Sequence, residues 1–189
     1  MSGLHCSALN IKMLHGMYGL RTLIISNSEL NQGFNDDVNG DVFRDLSKLE
    51  HLDISNNRLD SLHADLLLSQ RLTLKAINLE LNNFVALPFD IQYFSRLSEI
   101  NLKRNEIRFL CKESLKSFDS LNQRLIDGKL KLLLEGNPLQ CNCESIEFVE
   151  WLFSTKVELD KNSNYTCEYI DGSIKSTQIV YDRISDLKS

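Results

Sequence analysis

Five times along this chain, apolar residues recur at the fourth, sixth and eleventh positions of a short window, in four of them after a Leu at the first, with a small polar residue at the ninth. The first copy is Leu20, Leu23, Ile25, Ser28 and Leu30, with Ser in the polar place. Asn holds that place in the others: Leu49, Leu52, Ile54, Asn57, Leu59; then Leu74, Ile77, Leu79, Asn82, Phe84; then Leu97, Ile100, Leu102, Asn105, Ile107. The fifth copy is weaker, with Lys129 in the first position before Leu132, Leu134, Asn137 and Leu139. The fourth and sixth positions are two apart, so on extended chain both side chains leave the same face. One coil cannot bury such a row alone. Stacked coils can, and each fully buried Leu or Ile then contributes roughly 1.5–3 kcal/mol. An amide at the ninth position offers donors and an acceptor to backbone groups inside the turn that leaves the strand. Asn57, Asn82, Asn105 and Asn137 are therefore expected to form a buried ladder.

Copies beginning at residues 20, 49, 74, 97 and 129 are spaced by 29, 25, 23 and 32. This pattern resembles the leucine-rich repeat, whose period is about 20–29 residues, and the last step implies a small insertion. The resemblance implies an α/β solenoid with a parallel sheet on its concave side. Apolar anchors such as Leu62 and Leu66, Leu87 and Phe94, and Leu110, Leu115 and Phe118 suit a convex side of short helix, turn or irregular chain. A bundle of amphipathic helices does not account for Asn at a fixed phase. Residues 20–139 are read as about five repeats. Residues 1–19 read as a degenerate or truncated one, with Cys6, Leu9 and Ile11 at repeat-like phase and no Asn following.

Residues 140–189 read as a cap. Asn137-Pro138-Leu139-Gln140-Cys141-Asn142-Cys143 closes the last copy. Ile146, Val149, Leu152 and Phe153 then make an apolar helical face that would cover the last coil, with Trp151 at its edge. Cys167 follows. These features resemble the C-terminal flanking cap of extracellular leucine-rich-repeat receptors, and Tyr165 to Thr177 is similar to the corresponding segment of Toll-like receptors. In such caps the first cysteine pairs with the third and the second with the fourth. The resemblance thus implies a Cys141–Cys167 disulfide and leaves Cys143 without its partner, so the cap reads as incomplete. A Cys143–Cys167 bond is the alternative. Cysteines of this kind without a secretory leader read as a piece of a longer extracellular or cell-surface precursor. Cys6 and Cys111, among leucines, are expected to be small buried hydrophobes.

Strand residues pointing away from the core line the concave face, so His51, Asp53, Asn78, Glu80, Glu99, Asn101, Lys103 and Arg104 are the candidate contacts for a protein or microbial ligand. The column mixes signs and has few of the aromatics that dominate hot spots. Residues 31–41, NQGFNDDVNGD, read as a turn-rich side loop. Aligned with a calcium-binding loop, they put Asn35 first and Leu46 twelfth, where Asp and Glu are needed. Asn164-Tyr165-Thr166 is a glycosylation sequon.

The remaining chemistry is sparse. His5, His15, His51 and His63 have no metal or nucleophile–base spacing, and Cys141-Asn142-Cys143 lacks a second close pair, so neither metal, cofactor nor catalysis is expected. A net charge of −5 argues against nucleic-acid binding, and no apolar run is long enough to span a membrane. The resemblance implies part of a Toll-like innate immune receptor ectodomain with a receptor dimer contact near the cap. A secreted decoy and an adhesive matrix protein built on the same repeats are the alternatives.

Overall fold

In a computed structural model of the chain, residues 14–28, 34, 37, 39–126 and 129–188 are described, with side chains to residue 184. Five short strands, β1 (Thr22–Ile24), β2 (His51–Asp53), β3 (Ala76–Asn78), β4 (Glu99–Asn101) and β5 (Lys131–Leu133), pair in sequence order, all parallel. A sixth rung, β6 (Glu158–Leu159), comes from the cap and pairs with β5. The register aligns Leu23, Leu52, Ile77, Ile100, Leu132 and Leu159 in one row. Each is buried, and the sixth-position residues Ile54, Leu79, Leu102 and Leu134 are sealed completely. The alternation of these two positions with outward polar ones is what sets the strand, and parallel stacking is what buries it.

The fifth coil differs from its reading. Lys129 is exposed and the next residue, Leu130, is fully buried in its place. The N–H of Leu130 donates to the Asn122 side chain at 2.7 Å, and its carbonyl accepts from Glu158 at 2.8 Å.

The insertion before this coil is helix α1 (Lys112–Arg124), which buries Leu115, Phe118 and Leu121 against the convex side. Cys111 stands at the N-cap position without a side-chain capping bond and is exposed, contrary to the buried position expected of it: the chain turns outward there to start the helix. Cys6 lies outside the described residues. So does most of the 31–41 loop, but Asp37 is buried and accepts the N–H groups of Asp41 and Val42 at 2.8 and 3.1 Å. Another convex brace is Gln70, fully buried, whose amide nitrogen donates to the carbonyls of Phe43 and Leu46 at 2.7 and 3.0 Å.

Helix α2 (Ile146–Ser154) lies over the last coil, rotated from the expected face. Phe148, Val149, Trp151 and Leu152 are buried, Ile146 is exposed, and Phe153 stacks on Tyr181 with ring centroids 4.5 Å apart. Both faces share Val149 and Leu152; burying two aromatic rings removes more apolar area than burying Ile146. Asp119 of α1 fixes the rotation by accepting from Trp151 Nε1 at 2.9 Å and Thr155 Oγ1 at 2.7 Å. A hairpin of β7 (Thr166–Glu168) and β8 (Ile174–Ser176), then helix α3 (Thr177–Lys188), complete the cap.

Candidate functional site: the concave face and its closure

Two ladders of polar side chains build the concave face. The inner one is the ninth-position asparagines. Asn57 Oδ1 accepts from Ser28 N at 2.8 Å, Asn82 Oδ1 from Asn57 N at 3.0 Å, Asn105 Oδ1 from Phe84 N at 3.1 Å, and Asn137 Oδ1 from Ile107 N at 3.0 Å. Each amide nitrogen donates both to its own coil and to the preceding one, as Asn105 does to Leu102 O at 3.1 Å and Leu79 O at 3.0 Å. Asn57, Asn82 and Asn105 are buried, whereas Asn137 is half-buried beside the cap.

The outer ladder is less obvious. The N–H of the sixth position bonds the next coil, as Ile54 N does to Asn78 O at 3.0 Å, and so does that of the eighth, as Asn56 N does to Glu80 O at 2.8 Å. The seventh N–H therefore points away from the next coil. Asp53 accepts it from Ser55 at 2.9 Å, Asn78 from Glu80 at 3.1 Å, and Asn101 from Lys103 at 3.1 Å. These three candidate contacts thus have one side-chain oxygen committed to the backbone. Asp53 bonds Ser55 rather than meeting the neighbouring His51, which stays exposed.

Immediately after, the eighth position turns left-handed in every coil: Asn27, Asn56, Leu81, Arg104 and Gly136 have φ of 54°, 55°, 57°, 52° and 79°. That turn carries the chain from the strand into the Asn ladder. Non-glycine residues tolerate it at a cost that the ladder's hydrogen bonds offset.

In the last coil Asp160, just after β6, takes two parts at once: its carboxylate accepts from Leu134 N at 3.2 Å, where earlier coils use a carbonyl of the next rung, and from Glu135 N at 3.0 Å, where Leu133 offers no side-chain oxygen; it also accepts from Tyr165 Oη at 2.6 Å. Burial, then the bond to Asp160, pushes the Tyr165 phenol far above its ordinary range. Lys103 Nζ sits 3.2 Å from Glu135 and 3.5 Å from Asp160, and Lys161 meets Glu135 at 2.7 Å. Hydrogen bonds from Lys161 and then Lys103 hold the Glu135 carboxyl below the usual carboxylate range. Hydrogen bonding to Glu135 raises Lys103 in turn.

The face therefore divides. Glu80 accepts from Asn101 at 3.2 Å and stands 3.8 Å from Arg104, and Glu99 stands 3.6 Å from Lys131. His51 and Arg104 are the most open of the candidates. No sequence signal marked Asp160, although Val157 and Leu159 alternate as strand residues do; the Asp or Asn at every fifth position from coil two to four was visible but its backbone role was not.

In the cap, Cys141 and Cys167 are disulfide-bonded with Cα atoms 5.6 Å apart, and Cys143 is exposed and free. Asn142 caps the turn at Cys143–Ser145 through a reciprocal pair with Ser145, which orients α2. Asn164 is exposed, and its Oδ1 accepts from Ser176 Oγ at 2.5 Å. Among the described residues no helix is long and apolar enough to cross a membrane, and no cluster of three metal-ligating side chains occurs.

No family model matches the sequence. Toll-like receptor 4 of Pinctada imbricata is 26% identical over 168 residues, 89% of this chain and 18% of that protein. Toll-like receptor 2 of Bos taurus is 33% identical over 121 residues, 64% of this chain and 14% of that protein. The chain thus spans less than a fifth of the length of these curated relatives. The crystal structure of human 5T4, trophoblast glycoprotein, matches with a TM-score of 0.71 at 20% identity, over 94% of this chain and 73% of that one. A six-strand parallel sheet, stacked coils and a terminal disulfide make this chain a leucine-rich-repeat solenoid with a cysteine-stapled C-terminal cap, resembling part of a Toll-like receptor.

Proposed function

We propose that the chain is an extracellular binding module, part of a Toll-like receptor ectodomain, that contacts a protein or microbial ligand through its concave face and lateral edge and catalyses nothing. Residues 20–139 form the contact array in this reading, and residues 140–189 seal it and supply a dimer contact. The observation that supports it is the continuous strand register, which aligns His51 with Ala76 and Glu99, with Glu80, Lys103 and Arg104 following just beyond the ends of β3 and β4. The disulfide supports an oxidising location, and the exposed Asn164 supports glycosylation there. Likeness to receptors over most of the chain favours sensing over a matrix role.

The test uses the secreted chain in surface plasmon resonance against purified receptor ectodomains, bacterial lipopeptides and a second copy of itself. Saturable binding that is lost in the Glu80→Lys/Arg104→Glu double variant is expected. Absence of any saturable binder, or binding indifferent to that variant, refutes the reading.

A further inference from the structure

One lateral groove differs in chemistry from the rest of the molecule. It opens where the chain enters β3, β4, β5 and β6, has a volume of about 590 Å³, and is lined by Lys75, Arg96, Lys129 and Lys131 against Glu99 and Glu158. Among the described residues, four cations against two carboxylates give it a net positive lining on a chain whose formal charge is −5. Two of the cations are already engaged: Lys75 with Glu50 at 2.6 Å and Lys131 with Glu99 at 3.6 Å. Arg96 and Lys129 are exposed and have no ion-pair partner among the described residues. Between these charges Ile126 stands 95% exposed, with Leu125 half-buried beneath it.

Exposed single aliphatic residues are ordinary, but one set in a concave surface among unpaired cations has a specific complement. We infer that this groove is a docking site for an acidic peptide segment of a partner protein, with Arg96 and Lys129 taking its carboxylates and Ile126 packing against an apolar side chain between them. The guanidinium of Arg96 suits bidentate carboxylate contact, and the Lys129 ammonium supplies a point charge. Ile126 favours a protein over a sulfated glycan, because a glycan has no aliphatic side chain to cover it. The inference rests on the binding-module reading and assigns the lateral edge a partner chemistry distinct from that of the concave face.

The test is fluorescence anisotropy of the intact secreted chain with three probes: a short labelled peptide alternating Glu with Leu, its Lys-for-Glu counterpart, and a heparin-type sulfated oligosaccharide. The acidic peptide is expected to bind in a salt-sensitive way and the basic one not at all. Arg96→Glu/Lys129→Glu should weaken binding by about tenfold or more, and Ile126→Ser by several-fold, with circular dichroism unchanged because all three side chains are exposed. No binding of the acidic peptide, or binding equal in the charge-reversed variant, overturns the assignment. Tighter binding of the oligosaccharide, indifferent to Ile126→Ser, also overturns it in favour of a glycan. The Glu80→Lys/Arg104→Glu variant should retain the peptide. If the groove variants change nothing while concave-face ligands still bind, only this proposal falls.

Discussion

Replacing Asp160 by Ala should unfasten the end of the array. Its carboxylate accepts two backbone N–H groups of the last coil and the Tyr165 hydroxyl, and neutralises Lys103. Leu134 is fully buried, so its orphaned N–H costs about 1–3 kcal/mol. Glu135 is only half-buried and lies where water can replace the lost bond, and Tyr165 can reorient its hydroxyl. Each of those bonds contributes about 0.5–1.5 kcal/mol net. The sum is a loss of about 2–6 kcal/mol. With an m-value near 2 kcal/mol/M, that lowers the urea midpoint by roughly 1–3 M. Asp160→Asn keeps one acceptor oxygen and should lose about half as much. Amide exchange at Leu134 and Glu135 should accelerate in both variants, more than at Leu79 or Leu102, whose partners are backbone carbonyls of the next coil. An Asp160→Ala midpoint within about 0.2 M of the parent would refute the view that this carboxylate fastens the last coil.

Three further outcomes are expected. Asn105→Leu strands the N–H of Phe84, while the carbonyls of Leu79 and Leu102 keep their second donors, Asn82 and Asn137; it should cost about 1–3 kcal/mol by urea titration, more than the same change at half-buried Asn137. Reducing the Cys141–Cys167 bond, which closes a loop with a sequence separation of 26, should cost about 3.5 kcal/mol in the chain-entropy model, while native-state alkylation followed by mass spectrometry should label Cys111 and Cys143 alone among the four described cysteines. The depressed Glu50 and Glu135 carboxyls stabilise the fold fully above their ordinary range, and that contribution disappears as pH falls through their lowered values; Glu135→Gln or added salt should therefore flatten the acid limb of the stability curve.

The solenoid was legible because its cause is local. An aliphatic residue two positions from another and an amide three further on state a strand, a buried face and a turn within a dozen residues, and Leu52, Ile77 and Ile100 meet by repeating that statement. What escaped were features that depend on the neighbouring coil. Asp160 looks like any exposed acid until the unfilled N–H groups of Leu134 and Glu135 are beside it. The rotation of α2 was ambiguous because Val149 and Leu152 belong to two faces; burial of Phe148 and Trp151 favours one of them, and Asp119, more than thirty residues earlier, fixes it. Cys111 sits at a phase that reads as core, yet there the chain departs into α1. On the concave face, residue type marked outward positions but did not show that Asp53, Asn78 and Asn101 are partly occupied by backbone, leaving His51 and Arg104 the more open to a partner.

Methyl NOE spectroscopy of the oxidised chain in solution tests the stacked, capped array most directly. An unbroken path of contacts from Leu23 through Leu52, Ile77, Ile100 and Leu132 to Leu159 is predicted, ending in the cap strand. A path that breaks between any two of the first five, or that reaches Leu132 without continuing to Leu159, would contradict it.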